Sequence, residues 1–134
     1  MRALVTGGVG FIGGHIVDKL LEKGYGVTVL DALEKPTHQN GIPNYLPKKV
    51  TFIKGNVLEK DKVIKALEGV EVLFHEAATG GFTDNVSKYY EWNSLATAQL
   101  WEIISQRKIK LKKVIVASSV AVYGEGKYNC DVCG

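Results

Sequence analysis

The segment Thr6-Gly7-Gly8-Val9-Gly10-Phe11-Ile12-Gly13 lies between an apolar run and a helical one, and few folds accept that order. Ala3-Leu4-Val5 precedes it as a strand. Ile12, Ile16, Val17, Leu20 and Leu21 follow at helical spacing until Lys23-Gly24. A strand, a glycine turn and a helix in succession are what a dinucleotide pyrophosphate requires. Gly7 permits the tight turn, Gly10 lets the backbone approach the phosphates, and Gly13 lets the helix pack close to the strand. A side chain at Gly10 is expected to fill the phosphate space and to strain the turn as well. The helix start then presents free N–H groups and a positive dipole end to an anion.

The next strand, Val27-Thr28-Val29-Leu30, leads into Asp31. That is about 20 residues beyond the glycines, where an acid accepts hydrogen bonds from the adenosine ribose hydroxyls. A carboxylate there repels a 2′-phosphate, and Ala32 and Leu33 supply no cation to offset it. NAD is therefore expected over NADP.

Strands and helical patterns go on alternating, which predicts a parallel sheet covered on both faces. Residues 32–48 hold all three prolines, Pro36, Pro43 and Pro47, and read as a surface loop. Further strands are expected over Val50–Ile53, Val70–Phe74 and Val114–Ala117. A short helix fits Lys60–Leu67 and a long one Asn85–Gln106, with a glycine-rich stretch over residues 79–84. Right-handed crossovers then give a Rossmann-type doubly wound α/β sheet in the order 3-2-1-4-5, with binding groups at the C-terminal strand ends. The 134 residues make one domain. A formal charge of +3 is modest, and Lys108, Lys110, Lys112 and Lys113 read as a solvated corner, since no aromatic residues interleave them as in a nucleic-acid surface. No long apolar run or signal-like start occurs, so a cytoplasmic chain outside the membrane is expected.

Taken together, the glycine turn, Asp31, His75-Glu76-Ala77-Ala78, Asn93 and Ser118-Ser119-Val120-Ala121-Val122-Tyr123-Gly124 resemble the extended short-chain dehydrogenase/reductase family, within its nucleotide-sugar epimerases and dehydratases. The resemblance covers essentially the whole chain. It implies that Gly7, Gly10, Phe11, Ile12 and Gly13 hold the pyrophosphate and Asp31 the ribose. It implies further that Asn56 and Val57 border the adenine, that Ala77 and Ala78 line the cofactor, and that Asn93 supports the backbone of the site. Asn56 stands where the family has a carboxylate, but its amide can still accept from the adenine amino group. Glu76 stands where leucine is common, and near a pyrophosphate it is unfavourable unless it points away. Ser119 corresponds to the serine that hydrogen-bonds the reacting sugar hydroxyl or ketone. His75 reads as a packed or hydrogen-bonded strand residue, and His15 as an ordinary helix residue.

The family chemistry also needs a tyrosine and a lysine four residues apart on one helical face, where the lysine charge lowers the phenol pKa. Tyr45 and Lys49 bracket Pro47, and Tyr123 and Lys127 enclose Gly124 and Gly126. Two glycines cost a helix about 2 kcal/mol, so neither pair serves. Residues 1–134 are accordingly expected to be the NAD-binding part of a longer enzyme. Its later strands and substrate lobe would lie beyond Gly134, and homodimerisation is the family habit. The alternative is a non-catalytic dinucleotide-binding sensor or partner-binding module. Cys130 and Cys133 fit three readings: half of a zinc site, a free thiol pair, or a redox pair.

Overall fold

Alternate residues of the first strand point to opposite sides, and each side has its own core. In the computed structural model, residues 1–134 are described except 36, 37, 39, 40, 81–84, 128 and 134. β1 (Arg2–Thr6) sends Ala3 and Val5 to one face and Leu4 to the other. Ala3 and Val5 meet Val27 and Val29 of β2 (Gly26–Asp31) under Val17 and Leu20 of α1 (Phe11–Glu22). Leu4 joins Leu30, Ile53 of β3 (Thr51–Lys54) and Leu73 of β4 (Val72–His75). That second core is closed by Val63 and Ala66 of α2 (Lys60–Ala66) and by Leu100 and Ile103 of α4 (Ala96–Gln106). Each fully buried leucine or valine contributes about 1.5–3 kcal/mol relative to exposure.

The five strands, completed by β5 (Lys113–Val116), run parallel in the order β3-β2-β1-β4-β5, as the crossover argument requires. The order of strand succession reverses between β1 and β4, which pair in parallel from Ala3↔Val72 to Thr6↔His75. Such a switch point opens a crevice at the C-terminal strand ends. Among the described residues no helix is long and apolar enough to cross a membrane.

Element ends differ from expectation where a turn claims a residue first. Val70 and Val50 donate to Leu67 and Pro47 carbonyls, closing turns before β4 and β3 begin. The expected helix over 85–106 is a helical run with a change of pitch. α3 (Val86–Tyr89) passes into a π-helical segment, Tyr90–Leu95, and then into α4. Such insertions cluster at functional sites. α1 ends as a Schellman motif: Gly24, with φ +76°, donates to Leu21 while Tyr25 donates to Leu20. α4 ends the same way through Lys108 and Ile109, but with lysine in the left-handed position at φ +52°. Pro36 and residues 81–84 of the glycine-rich stretch lie outside the described residues.

Candidate functional site

A cavity of about 160 Å³ lies in the switch-point crevice. Gly7 and Gly10 of the turn line it together with Asp31, Asn56, Val57, Glu76, Ala77 and Ala78. Its wall is completed by residues that the sequence reading left unassigned: Leu30, Ala32, Glu34, His38, Gly55 and Trp92. Only position could have found Glu34 and His38, since both follow the C-terminal end of β2.

The glycines divide into two kinds. Gly7 has φ +68°, and an added Cβ would stand 2.8 Å from the Ala77 nitrogen. At Gly13 an added Cβ would run into the Gly7 carbonyl oxygen and come within 2.8 Å of the Gly8 Cα. These two allow the turn to close against its neighbours. Gly10 has an ordinary φ of −69°, and an added Cβ there would meet only the Gly7 carbonyl oxygen, at 3.2 Å. The backbone at Gly10 is thus unstrained, the cost of a side chain is the tight approach to the Gly7 carbonyl, and the residue's smallness keeps space open on the cavity side. α1 starts at Gly10 with no side-chain cap and no acid in its first turn, which leaves the positive helix end to an anion.

Phe11 and Ile12 direct their exposed side chains elsewhere. They line a second, apolar groove with Ile16, Phe74 and Ile115 on the α1 side of the sheet. Only their backbone can serve the glycine turn.

Asp31 is buried and ties two loops together. One carboxylate oxygen accepts the Val9 N–H at 3.0 Å and the other the Leu33 N–H at 2.9 Å. The His38 Nε2 stands 3.9 Å from that second oxygen. Each oxygen keeps a further lone pair for a hydroxyl. Asn56 and Glu59 close the turn that leads into α2, where the Glu59 N–H also donates to the Asn56 carbonyl at 2.9 Å. The Asn56 side-chain oxygen accepts from Leu58 at 3.0 Å, and its N–H donates to Glu59 Oε1 at 2.7 Å. The Val57 carbonyl is held by Gln99 of α4 at 3.2 Å. Glu76 borders the cavity, and burial raises its pKa.

Behind Ala77 a chain of hydrogen bonds crosses the sheet end. Thr97 Oγ1 donates to the Asn93 carbonyl at 2.5 Å. It must then accept from His75 Nε2, 2.9 Å away. The neutral imidazole therefore presents Nδ1 as an acceptor to the Thr6 hydroxyl at 2.7 Å, while Thr6 Oγ1 accepts the Ala77 N–H at 3.3 Å. Burial lowers the His75 pKa, which favours the neutral ring this pattern requires. Asn93 continues the chain, accepting from Thr79 N–H at 2.8 Å and donating to the Thr79 carbonyl at 3.0 Å. It holds the backbone beside the cavity and does not line the cavity itself.

Ser119 lies outside the cavity lining. Exposed beyond β5, it caps the 3-10 turn Val120–Tyr123 by accepting the Ala121 N–H at 3.1 Å. Tyr123 ends that turn and Gly124 has φ +68°, so Tyr123 and Lys127 share no helical face.

Residues 3–132 match the NAD dependent epimerase/dehydratase family. UDP-glucose 4-epimerase of Bacillus subtilis is 34% identical over 131 residues, covering 92% of this chain and 38% of that protein. The decarboxylating sterol-4-alpha-carboxylate 3-dehydrogenase of Bos taurus is 33% identical over 125 residues, 93% of this chain and 32% of its own. In structure, the UDP-glucuronic acid 4-epimerase of Bacillus cereus, solved in complex with NAD, superposes with a TM-score of 0.81 at 34% identity over 95% of this chain and 43% of that one. The chain thus spans about two-fifths or less of the length of these proteins. Glycine turn, switch-point crevice and strand order agree with a match that runs almost end to end, and the chain belongs to the NAD dependent epimerase/dehydratase family.

Proposed function

We propose that this chain is the NAD-holding part of a cytoplasmic nucleotide-sugar epimerase or dehydratase, with homodimerisation a property of the whole protein and nucleic acid no partner. The observation that carries this reading is the crevice between β1 and β4, where Gly7, Gly10 and Asp31 border one cavity. The backbone N–H groups of the glycine turn and the first turn of α1 would hold the pyrophosphate. Asp31 would accept from the adenosine ribose through its remaining lone pairs, and Ala77 and Ala78 would let the cofactor lie against the end of β4. Bound NAD supplies a hydride acceptor. Asn93 and His75 would act one layer back, as positioning residues that fix residues 77–79. Ser119 is exposed and only accepts within its own turn, so its O–H would remain free for a sugar oxygen.

Among the described residues Tyr123 and Lys127 share no helical face, and general acid–base help is worth about 10²–10⁴ in rate. Turnover by this chain alone is therefore expected to be undetectable. Calorimetric titration should show NAD binding more tightly than NADP, with Asp31→Ala weakening NAD and narrowing the preference. Gly10→Val should abolish binding while circular dichroism remains that of the wild type. Equal affinity for both dinucleotides would remove Asp31 from the ribose, and wild-type affinity in Gly10→Val would remove the pyrophosphate from the turn. Sugar-nucleotide turnover that disappears in Tyr123→Phe would make Tyr123 the base after all.

A further inference from the structure

Beyond β5 the chain carries a side-chain pair that dinucleotide binding does not use. Cys130 and Cys133 are both free thiols and both exposed, and residues 131–133 form a turn between them. The Val132 N–H donates to Cys130 Sγ at 3.4 Å. A helix N-terminus is one common source of activation in reactive redox pairs of this spacing. Here no helix starts among the described residues 129–133. The turn instead has what thiolate metal ligands need: two soft donors at Cys-x-x-Cys spacing, with a backbone N–H bond from Val132 orienting the Cys130 sulfur.

We infer that Cys130 and Cys133 form the thiolate half of a tetrahedral site for a thiophilic divalent ion of the zinc class. Among the described residues no group of three metal-ligating side chains comes together, so the other donors come from outside this turn. Exposure of both sulfurs leaves that approach open. On binding, each thiol gives its proton to the buffer and its sulfur lone pair forms the metal bond, with no change in oxidation state. The ion would anchor the segment after Tyr123, which among the described residues forms no helix or strand.

Cobalt(II) titration of the reduced chain under anaerobic conditions tests this. A saturable sulfur-to-cobalt charge-transfer band is expected, displaced by zinc(II) and lost in both Cys130→Ser and Cys133→Ser. Saturation at one metal per chain, or at one per two chains if a second turn completes the site, supports the assignment equally. Gly10→Val should retain the band, which separates this inference from the dinucleotide reading. Absence of the band, its persistence in either serine variant whose circular dichroism is native, or conversion of the thiols to a disulfide without metal uptake would overturn it.

Discussion

His75→Leu removes the centre of the hydrogen-bond chain behind the cavity while keeping a buried side chain of similar bulk. Two hydrogen bonds are lost, those to Thr6 and Thr97, each worth about 1 kcal/mol net. Thr97 keeps its bond to the Asn93 carbonyl. Thr6 fares worse: it is fully buried, and its hydroxyl loses the acceptor it donated to. A stranded buried donor costs about 1–3 kcal/mol. The sum is about 3–5 kcal/mol, a large part of the roughly 5–15 kcal/mol that holds a typical domain together. At about 3–6 °C per kcal/mol for a chain of this size, thermal melting should fall by roughly 10–30 °C. Thr6→Val in the same chain removes the stranded donor, so the double variant should lie about 1–2 kcal/mol above the sum of the single effects. The pH dependence supplies a second readout. Burial sets the folded pKa of His75 below its ordinary 6.5. Above pH 6.5 both states are neutral, and the stabilisation is complete. As pH falls from 6.5 toward the lower folded value, the unfolded chain takes up a proton that the folded chain refuses, and stability is lost. His75→Leu should flatten that part of the melting-temperature profile. A variant as stable as the wild type with an unchanged pH profile would refute the reasoning.

Gly13→Ala forces its Cβ against the Gly7 and Gly8 backbone, and urea melts should show a loss of about 1–3 kcal/mol or no folded protein. Lys108→Gly relieves a left-handed lysine at the end of α4 and should stabilise by about 0.5–1 kcal/mol in the same assay. Glu76→Gln removes a carboxylate that burial already disfavours beside the cavity. It should tighten NAD binding roughly 2–5-fold, the scale of a solvent-screened charge contact, read from Trp92 fluorescence because Trp92 lines the cavity.

The sheet was legible because its information is local. Ala3-Leu4-Val5, Val27–Leu30 and their successors are short apolar runs, and right-handed crossovers leave one strand order for them. The glycine turn was legible because backbone geometry demands it at Gly7 and packing at Gly13. The π-helical segment was not, since residues 85–106 carry a helical period and the change of pitch arises in the folded chain. Nor could spacing show that Asp31 clamps Val9 and Leu33, or that His38 comes within 3.9 Å of it. Those contacts depend on how a loop without periodic pattern returns to the sheet. Nor does the sequence motif show that the Ser119 oxygen accepts the Ala121 N–H of its own turn.

The placement of β1 has a consequence for how the chain is made. It is synthesised before the other four strands, yet it becomes the central strand, paired on one side with β2 and on the other with β4. The bond from Thr6 to His75 joins positions 69 residues apart. Until β4 has emerged, one edge of β1 is an open row of peptide groups flanked by apolar side chains, the kind of surface that other nascent chains can pair with. Consolidation of the first strand therefore waits for residue 75, and synthesis rate over residues 32–75, together with chaperone access during that interval, governs how much of the chain reaches the folded sheet.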